Sequence, residues 1–487
     1  MTNVENETFS REESPVAPRL KTPDRLLLVD FDHTLFAANS TEMFISECRP
    51  AMVVSVIDFA VRQCIPWKLT GVPKWFRLRD YICVLTILIC TPWNVWRWRR
   101  RAPGLFAQRR SDVVAEMLED VDPSGMTIVS FGMRFVIQAL LRDGPYADVR
   151  VVATPLWAPA SWFRSGKAQI VAAELGPDVA AQAVLITDSE DDRDLLDICA
   201  RGVMIEPQGA PQLARERLYL PFRYSSEVKF TRSFVLDQWL FVDTAIYILA
   251  SAHGLVGLAR MALIAPLMSA SYMCIYELGY FENDMVAAGK EARPVLSGKE
   301  AAYRAYPIKV QSWIWASLLG AAGLGLAVWF GMLDVAGALG AGLLWAGLLL
   351  LSRVVFHVYN RLSTSLRFYA YPLLQVLKYC SMLLIFPPIF PGMLLVFSQV
   401  VTMWSNYMIY RLGGQFLKQP KETVRLILFA IGVGVVWLCG PLAGARAAVA
   451  PSAFLSADAA VAFGAILCWS LLRLAKQAVM RQVKKKI

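Results

Sequence analysis

The sequence predicts a chain in two parts: an α/β amino-terminal domain with a helical cap, then an all-α, multi-span transmembrane bundle of about eight helices. Three observations predict this. Short apolar stretches in the first 230 residues end in aspartate or threonine, as strands of an open sheet do when they deliver ligands at their carboxyl ends. From about residue 235 the chain is mostly apolar blocks of roughly 20 residues, each long enough to cross a bilayer as a helix. Lysine and arginine gather in alternate loops between those blocks.

The strands come first. "RLLLVDFDHTLF" (25 to 36) is an apolar run ending in Asp30, Asp32 and Thr34. "VRVVATPLW" (149 to 157) ends in Thr154. "AVLITDSEDDRDLLDICARGVMIEP" (183 to 207) gives a strand, then Asp188, Ser189 and Asp192, then a helix and another strand. Their order resembles motifs I (DxDxT), II and IV (DSxxD) of the haloacid dehalogenase (HAD) superfamily. The resemblance implies a Rossmann-like HAD domain over 23 to 222, with a cap over about 40 to 145. It implies Asp30 as a nucleophile, Asp32 as general acid/base, and Thr154 on a phosphate oxygen. It also implies Mg²⁺ held among Asp30, Asp32, Asp188 and Asp192, since a hard ion prefers oxygen ligands. Lys167 is the only lysine between the second and third motifs, and it is the candidate for the family's phosphate-binding lysine.

Inside the cap, "WKLTGVPKWFRLRDYICVLTILICTPWNVWRWRRR" (67 to 101) holds an apolar run, 81 to 92, too short to span a membrane. Trp67, Trp75, Trp93, Trp96 and Trp98, with Arg97, Arg99, Arg100 and Arg101, suit a headgroup layer. The segment is expected to lie at the membrane surface or to pack as a cap helix on the transmembrane half.

Eight spans are expected, centred near residues 245, 267, 320, 346, 377, 398, 433 and 466, over 235 to 480. A linker (223 to 234) precedes them and a basic tail (481 to 487) follows. The loops near 281 to 309, 353 to 368 and 411 to 425 are rich in lysine and arginine, whereas the opposite loops hold Arg446 alone. The basic loops, both termini and the α/β domain are therefore expected on the cytoplasmic side of the cell (inner) membrane. The first 20 residues are polar, without an apolar run, so residues 1 to 22 are expected to be disordered in the cytosol. The net charge of +10 fits a surface facing anionic lipid and argues against a nucleic-acid partner. Three histidines (His33, His253, His357) exclude a histidine-rich metal site, and nine scattered cysteines without a CxxC pair read as reduced.

"YELGYFENDMVAAGKEARP" (276 to 294) closes the second span. Polar groups in or beside lipid face a bundle interior and mark a site. Glu277, Tyr280 and Asp284 share a helix face at i, i+3 and i+7. With "DQWLFVDTAIYILA" (237 to 250) and "YNRLSTSLRFYAYPLLQVLKY" (359 to 379), this stretch resembles the UbiA family of intramembrane prenyltransferases, whose pattern is roughly NDxxDxxxD followed by a basic, RP-containing loop. Fusion of HAD and UbiA-like domains is a known arrangement. The resemblance implies a site from Glu277, Glu282, Asn283, Asp284, Lys290 and Arg293 on one side, with Glu291 at its edge, and Asn360, Arg361, Arg367 and Lys378 on the other. It implies a polyprenyl phosphate or diphosphate substrate in membrane lipid, and Mg²⁺. Two positions depart from the pattern: Ala287 stands where the next aspartate is expected, and Gln375 where the second stretch would carry one. The expected function is a UbiA-like transfer between a polyprenyl lipid and a polar partner, such as a phosphoribosyl donor, fused to a phosphatase acting on a phosphorylated small molecule. The alternative is a membrane-anchored HAD phosphatase whose transmembrane half is a non-catalytic lipid-binding or transport scaffold.

Overall fold

The computed structural model describes residues 7–8, 26–65, 67–207, 218–230, 234–290, 296, 303–411, 421–439 and 456–486. The segments 1 to 6 and 9 to 22, expected to be disordered, lie outside them, as do Glu291 and Arg293. The chain divides into two compact units, Met1–Leu218 and Tyr219–Ile487.

Unit 1 is built on a parallel sheet of β1 (Glu7–Thr8), β2 (Leu27–Asp30), β3 (Met126–Met133), β4 (Arg150–Thr154), β5 (Val184–Thr187) and β6 (Arg201–Met204), in the spatial order β1-β6-β5-β2-β3-β4. All-parallel strands are covered on both faces and read as continuous apolar runs; all four residues of β2, Leu-Leu-Val-Asp, are buried. Alternation divides them between two cores. Leu27 and Val29 join Phe31, Phe36, Trp98 and Phe106 on one face, whereas Leu28 joins Val129, Val171 and Leu185 on the other. Strands β2, β3 and β4 run outward in one direction, and β5 and β6 lie on the opposite side of β2. The strand order reverses between β2 and β5, and the crevice beyond their carboxyl ends is where such sheets bind ligands.

The structure differs from expectation in one strand. "MTIVSFGM", read as part of the cap, is β3. It pairs directly with β2, with Asp30 opposite Val129. The helical insert between β2 and β3 therefore consists of Ser40–Glu47, Ala51–Cys64, Trp75–Cys90, Asn94–Arg109 and Asp112–Met117, and helix Arg134–Leu141 follows β3. Trp67 and Trp98, expected near headgroups, are buried: Trp67 donates to the Val61 carbonyl (2.7 Å) and Trp98 to that of Val136 (3.2 Å). The apolar run is partly consumed by the same core, through Cys83, Val84 and Ile87.

Unit 2 is helical. Helices occupy all eight expected positions: Val235–Thr244 with π geometry continuing into Ala245–Ala250, then Gly254–Lys290, Ile308–Trp329, Val335–Arg361, Thr364–Cys380, Phe390–Arg411, Lys421–Cys439 and Ala457–Lys486. Among the described residues of this unit, four helices are long and apolar enough to cross a membrane: Gly254–Gly289, Ile308–Trp329, Val335–Arg361 and Ala457–Val479. Leu339, Leu343, Leu350 and Val354 stay exposed along one of them, as a helix does when lipid replaces water. Phe390–Arg411 is diluted by Ser398, Gln399, Thr402, Ser405 and Asn406, and Ser398, Gln399 and Thr402 are buried. Helices Gly254–Lys290 and Val335–Arg361 pack closely at Gly279, where an added Cβ would stand 2.4 Å from the Phe356 ring.

Of the stretch 223 to 234, expected as a linker, the described residues are tied into this unit. Ser225–Lys229 forms a π-helical turn, and its neighbours bond to helix Gly254–Lys290 as described below.

Candidate functional site

At the carboxyl end of β2, Asp30 is buried and meets Lys167, whose ammonium lies 2.7 Å from Asp30 Oδ1 and 2.6 Å from Asp192 Oδ2. Lys167 opens the helix Lys167–Leu175 and is itself buried. Thr187, the last residue of β5, donates to Asp192 Oδ2 at 2.7 Å. Burial pushes the Asp30 carboxyl up to about 7 against the pull of the Lys167 ammonium. Burial also disfavours the charged form of Lys167, but Asp30 and Asp192 hold it above the usual lysine range.

Asp32 leaves the strand two residues later. Its Oδ1 accepts the Ser40 backbone N–H (2.6 Å) at the start of the first cap helix, and its Oδ2 accepts the Ser130 hydroxyl (3.1 Å). Burial raises its pKa, and those hydrogen bonds partly offset the shift. Thr34 donates to Asp188 Oδ1 (2.9 Å) and accepts the Asp188 backbone N–H (3.1 Å), which fixes the loop after β5.

Asp30, Asp32, Ser130, Lys167, Asp188 and Asp192 line a cavity of about 250 Å³ together with Thr154, Ser189, Asp191 and the cap residues Phe76, Arg77, Asp80 and Tyr81. The Arg77 guanidinium lies over the Phe131 ring, 3.2 Å from its centroid, and burial lowers its pKa to about 10. Lys74 reaches the Asp191 carbonyl (3.0 Å), which ties the cap to the loop after β5. Asp30, Asp32, Thr154, Lys167, Asp188 and Asp192 are thus all brought together around one cavity. Their partners sort them. Thr154 donates to the Phe131 carbonyl (2.7 Å) and accepts from Trp162 (3.1 Å). Ser130 bonds the Asp32 carboxylate and stands beside β2, one strand closer than Thr154. Ser130 is not among the residues expected from sequence, because β3 lies in an insertion whose other segments are helices. The signal lies in Met126, Ile128 and Val129, which lead into the hydroxyl residue Ser130.

The donor set accommodates a hard divalent cation in a restricted way. Asp30, Asp32, Asp188 and Asp192 all line the cavity, and each also holds a protein partner: Asp30 meets Lys167, Asp188 accepts from Thr34, Asp32 accepts from Ser40 and Ser130, and Asp192 meets Lys167 and Thr187. Among the described residues no three His, Cys, Asp or Glu side chains form a ready metal cage. One or two protein carboxylates, completed by phosphate and water oxygens, suffice for Mg²⁺.

In unit 2 the predicted carboxylates diverge. Glu277 is fully buried and accepts three bonds from the stretch before the first helix: the Tyr219 hydroxyl (2.7 Å), the Phe222 N–H (3.0 Å) and the Ser225 N–H (2.6 Å). Asp284, on the same face, accepts the Tyr224 hydroxyl (2.7 Å) and pairs with Lys229. Glu282 points to helix Val335–Arg361, where it meets Arg353 (2.6 Å), His357 (2.6 Å) and Arg361 (3.2 Å). Asn360 donates to the Gly279 carbonyl (3.0 Å), and Arg367 to the carbonyls of Leu362 (3.1 Å) and Asn360 (2.9 Å). The Lys290 side chain lies outside the described residues.

Lys378 is buried against Asp243 (2.6 Å), a carboxylate that the sequence reading passed over because it sits within the apolar first helix. Asp243 also accepts from Tyr379 (2.6 Å) and Gln238 (3.0 Å). Gln375 donates to Tyr276 (3.0 Å). A cavity of about 690 Å³ lies within the unit, lined by Lys229, Tyr276, Tyr280, Asn283, Asp284, Arg367, Tyr371 and Tyr407 among others. Ala287 also lines it, so the position without the expected aspartate offers the cavity only a methyl group. The chamber is mainly aromatic, with Tyr371 stacked on Tyr407 at 4.2 Å between centroids, and two cations and one carboxylate on its walls.

Comparisons of the chain with protein-family profiles, with curated proteins and with solved structures find no match.

Proposed function

We propose that unit 1 is a Mg²⁺-dependent phosphohydrolase of the HAD type, and that unit 2 is a UbiA-like membrane domain that binds a polyprenyl phosphate or diphosphate and transfers between it and a polar partner. The observation that carries the reading is Lys167 held between Asp30 and Asp192 at the switch point of a parallel sheet. Asp30 is the nucleophile: its carboxylate attacks phosphorus, the phosphorus–oxygen bond of the leaving group breaks, and an aspartyl-phosphate forms. Asp32, half-buried and with a raised pKa, gives its proton to the leaving oxygen and then takes one from the water that hydrolyses the intermediate. Lys167 offsets the repulsion between Asp30 and the incoming phosphate. Ser130 donates to a phosphate oxygen, the role that the family resemblance implies for Thr154. Asp30 and Asp188 would hold Mg²⁺, which would supply charge neutralisation of the phosphate.

In unit 2 the 690 Å³ chamber is the lipid-phosphate site, with Arg367 and Lys229 facing the phosphate and tyrosines facing the prenyl chain. In this reading the helices of unit 2 make eight spans, and both termini and unit 1 lie on the cytoplasmic side of the cell membrane, as the basic loops suggest. A second reading is favoured by one observation: Glu277, Glu282 and Asp284 are each bonded to protein groups. In that reading unit 2 holds lipid without chemistry, and unit 1 is the only enzyme.

Purified protein assayed with radiolabelled polyprenyl phosphate or diphosphate, Mg²⁺ and phosphorylated partners separates the two. Loss of phosphate release in Asp30→Ala supports the phosphohydrolase, and unchanged release refutes it. Lipid conversion lost in Asp284→Ala supports the transferase, whereas lipid binding with no conversion by the wild type establishes the scaffold.

A further inference from the structure

We propose that the helix corner around residues 89 to 101 of unit 1 is a docking surface for an anionic lipid headgroup layer. Helices Trp75–Cys90 and Asn94–Arg109 meet at 119°, and the break between them carries Pro92. The corner is built, not loose. Asn94 accepts the Arg49 backbone N–H (2.8 Å) and donates to the Arg49 carbonyl (2.9 Å), and Trp93 donates to that same carbonyl (2.8 Å).

What this frame presents outward is unusual for a protein surface facing water. Ile89 is 80% exposed, Trp96 69% and Trp93 47%. Trp93, Trp96 and Arg100 fall at i, i+3 and i+7, on one helix face. Arg97 and Arg101 are turned to Glu47, by bonds to its carbonyl (2.9 Å) and its carboxylate (2.8 Å). Arg99 and Arg100 are exposed and have no ion-pair partner among the described residues. From Tyr81 to Ser111 the chain has six arginines and no aspartate or glutamate. An open groove of about 620 Å³ runs between the two tryptophans and Arg97, Arg99, Arg100 and Arg101.

Charge complementarity selects a polyanionic partner, and the apolar tip selects lipid among polyanions. An isoleucine and two indoles projecting beside guanidinium groups match the boundary between acyl chains and phosphates. A nucleic acid would gain nothing from Ile89. The chain also carries helices long and apolar enough to cross a bilayer, so such a surface is at hand. The inference does not depend on the proposed chemistry of either unit.

The test is hydrogen exchange of the full-length protein, one chain per nanodisc, in discs of phosphatidylcholine alone and with 30% phosphatidylglycerol. The expected result is roughly tenfold slower exchange over 89 to 101 in the anionic discs, falling toward the phosphatidylcholine rate in 0.5 M salt. Arg99→Glu with Arg100→Glu removes the difference, and Trp96→Ser reduces it, while exchange in β2 and β3 is unchanged in both variants. Equal exchange in the two disc types, or protection that survives the charge reversal, overturns the proposal.

Discussion

The Lys167 ammonium stands 2.7 Å from Asp30 Oδ1, and the two residues are separated by 137 positions in the chain. They meet because β2 ends where the helix after β4 begins, and because Asp192 supplies a second carboxylate on the other side of the ammonium. Removing the lysine leaves two buried carboxylates facing each other. Lys167→Met is expected to lose most phosphate release and to cost about 3–5 kcal/mol in unfolding free energy. Added Mg²⁺ is expected to recover part of the stability and little of the turnover. Denaturant unfolding with and without Mg²⁺, beside a phosphate-release assay, checks both.

Two hydroxyls compete for one role, and their partners predict different outcomes. Ser130→Ala removes the bond to Asp32 and is expected to lower kcat/KM by about 10²-fold. Thr154→Val removes bonds to Phe131 and Trp162, and is expected to destabilise by about 1 kcal/mol while changing kcat/KM by less than about tenfold. Steady-state kinetics with thermal unfolding distinguishes them. The reverse pattern restores Thr154 to the phosphate.

Burial sets the pH response. The folded pKa of Asp30, about 7, lies above its ordinary value of 3.8. Between those values the folded state binds more protons than the unfolded chain, so this group's contribution is fully present below pH 3.8 and is lost as pH rises through about 7. Cation binding requires the carboxylate. Mg²⁺ is therefore expected to raise the melting temperature more at pH 8 than at pH 5.5, and Asp30→Asn to remove most of that pH dependence. Thermal shifts at the two pH values, with the metal titrated, decide it; an equal shift at both rules out the raised carboxyl as the Mg²⁺ ligand.

In unit 2 the Asp243–Lys378 pair is buried on both sides. Asp243→Asn leaves a buried ammonium without its counter-charge and is expected to destabilise by about 3–5 kcal/mol. Asp243→Asn together with Lys378→Met is expected to recover most of that loss. Unfolding in mixed micelles for the single and double variants measures the coupling. Equal destabilisation by both assigns the effect to packing.

Much of this was written in the residue order. β2, β4, β5 and β6 could be read as strands because parallel strands buried on both faces are apolar without interruption. The eight helical positions followed from block length. The strand β3 was hidden because its sequence lies in a long insertion whose other segments are helices. Asp243 was hidden because a single carboxylate inside an apolar helix makes no local pattern; its meaning lies in Lys378, 135 residues away. Glu277, Glu282 and Asp284 were legible as polar groups at a membrane edge, but their helix faces them toward different neighbours, which spacing alone cannot name. Two of five tryptophans expected at an interface proved to be core, because a tryptophan beside arginine reads the same whether its ring points in or out.

The three bonds that converge on Glu277 have a practical consequence for taking the molecule apart. The donors Tyr219, Phe222 and Ser225 all precede the first helix of unit 2. A membrane half produced alone from residue 235 would carry a carboxylate sealed in the bundle with none of them, at a cost of several kcal/mol. The workable cut lies before Tyr219, so the natural seam of this chain falls ahead of the first apolar block.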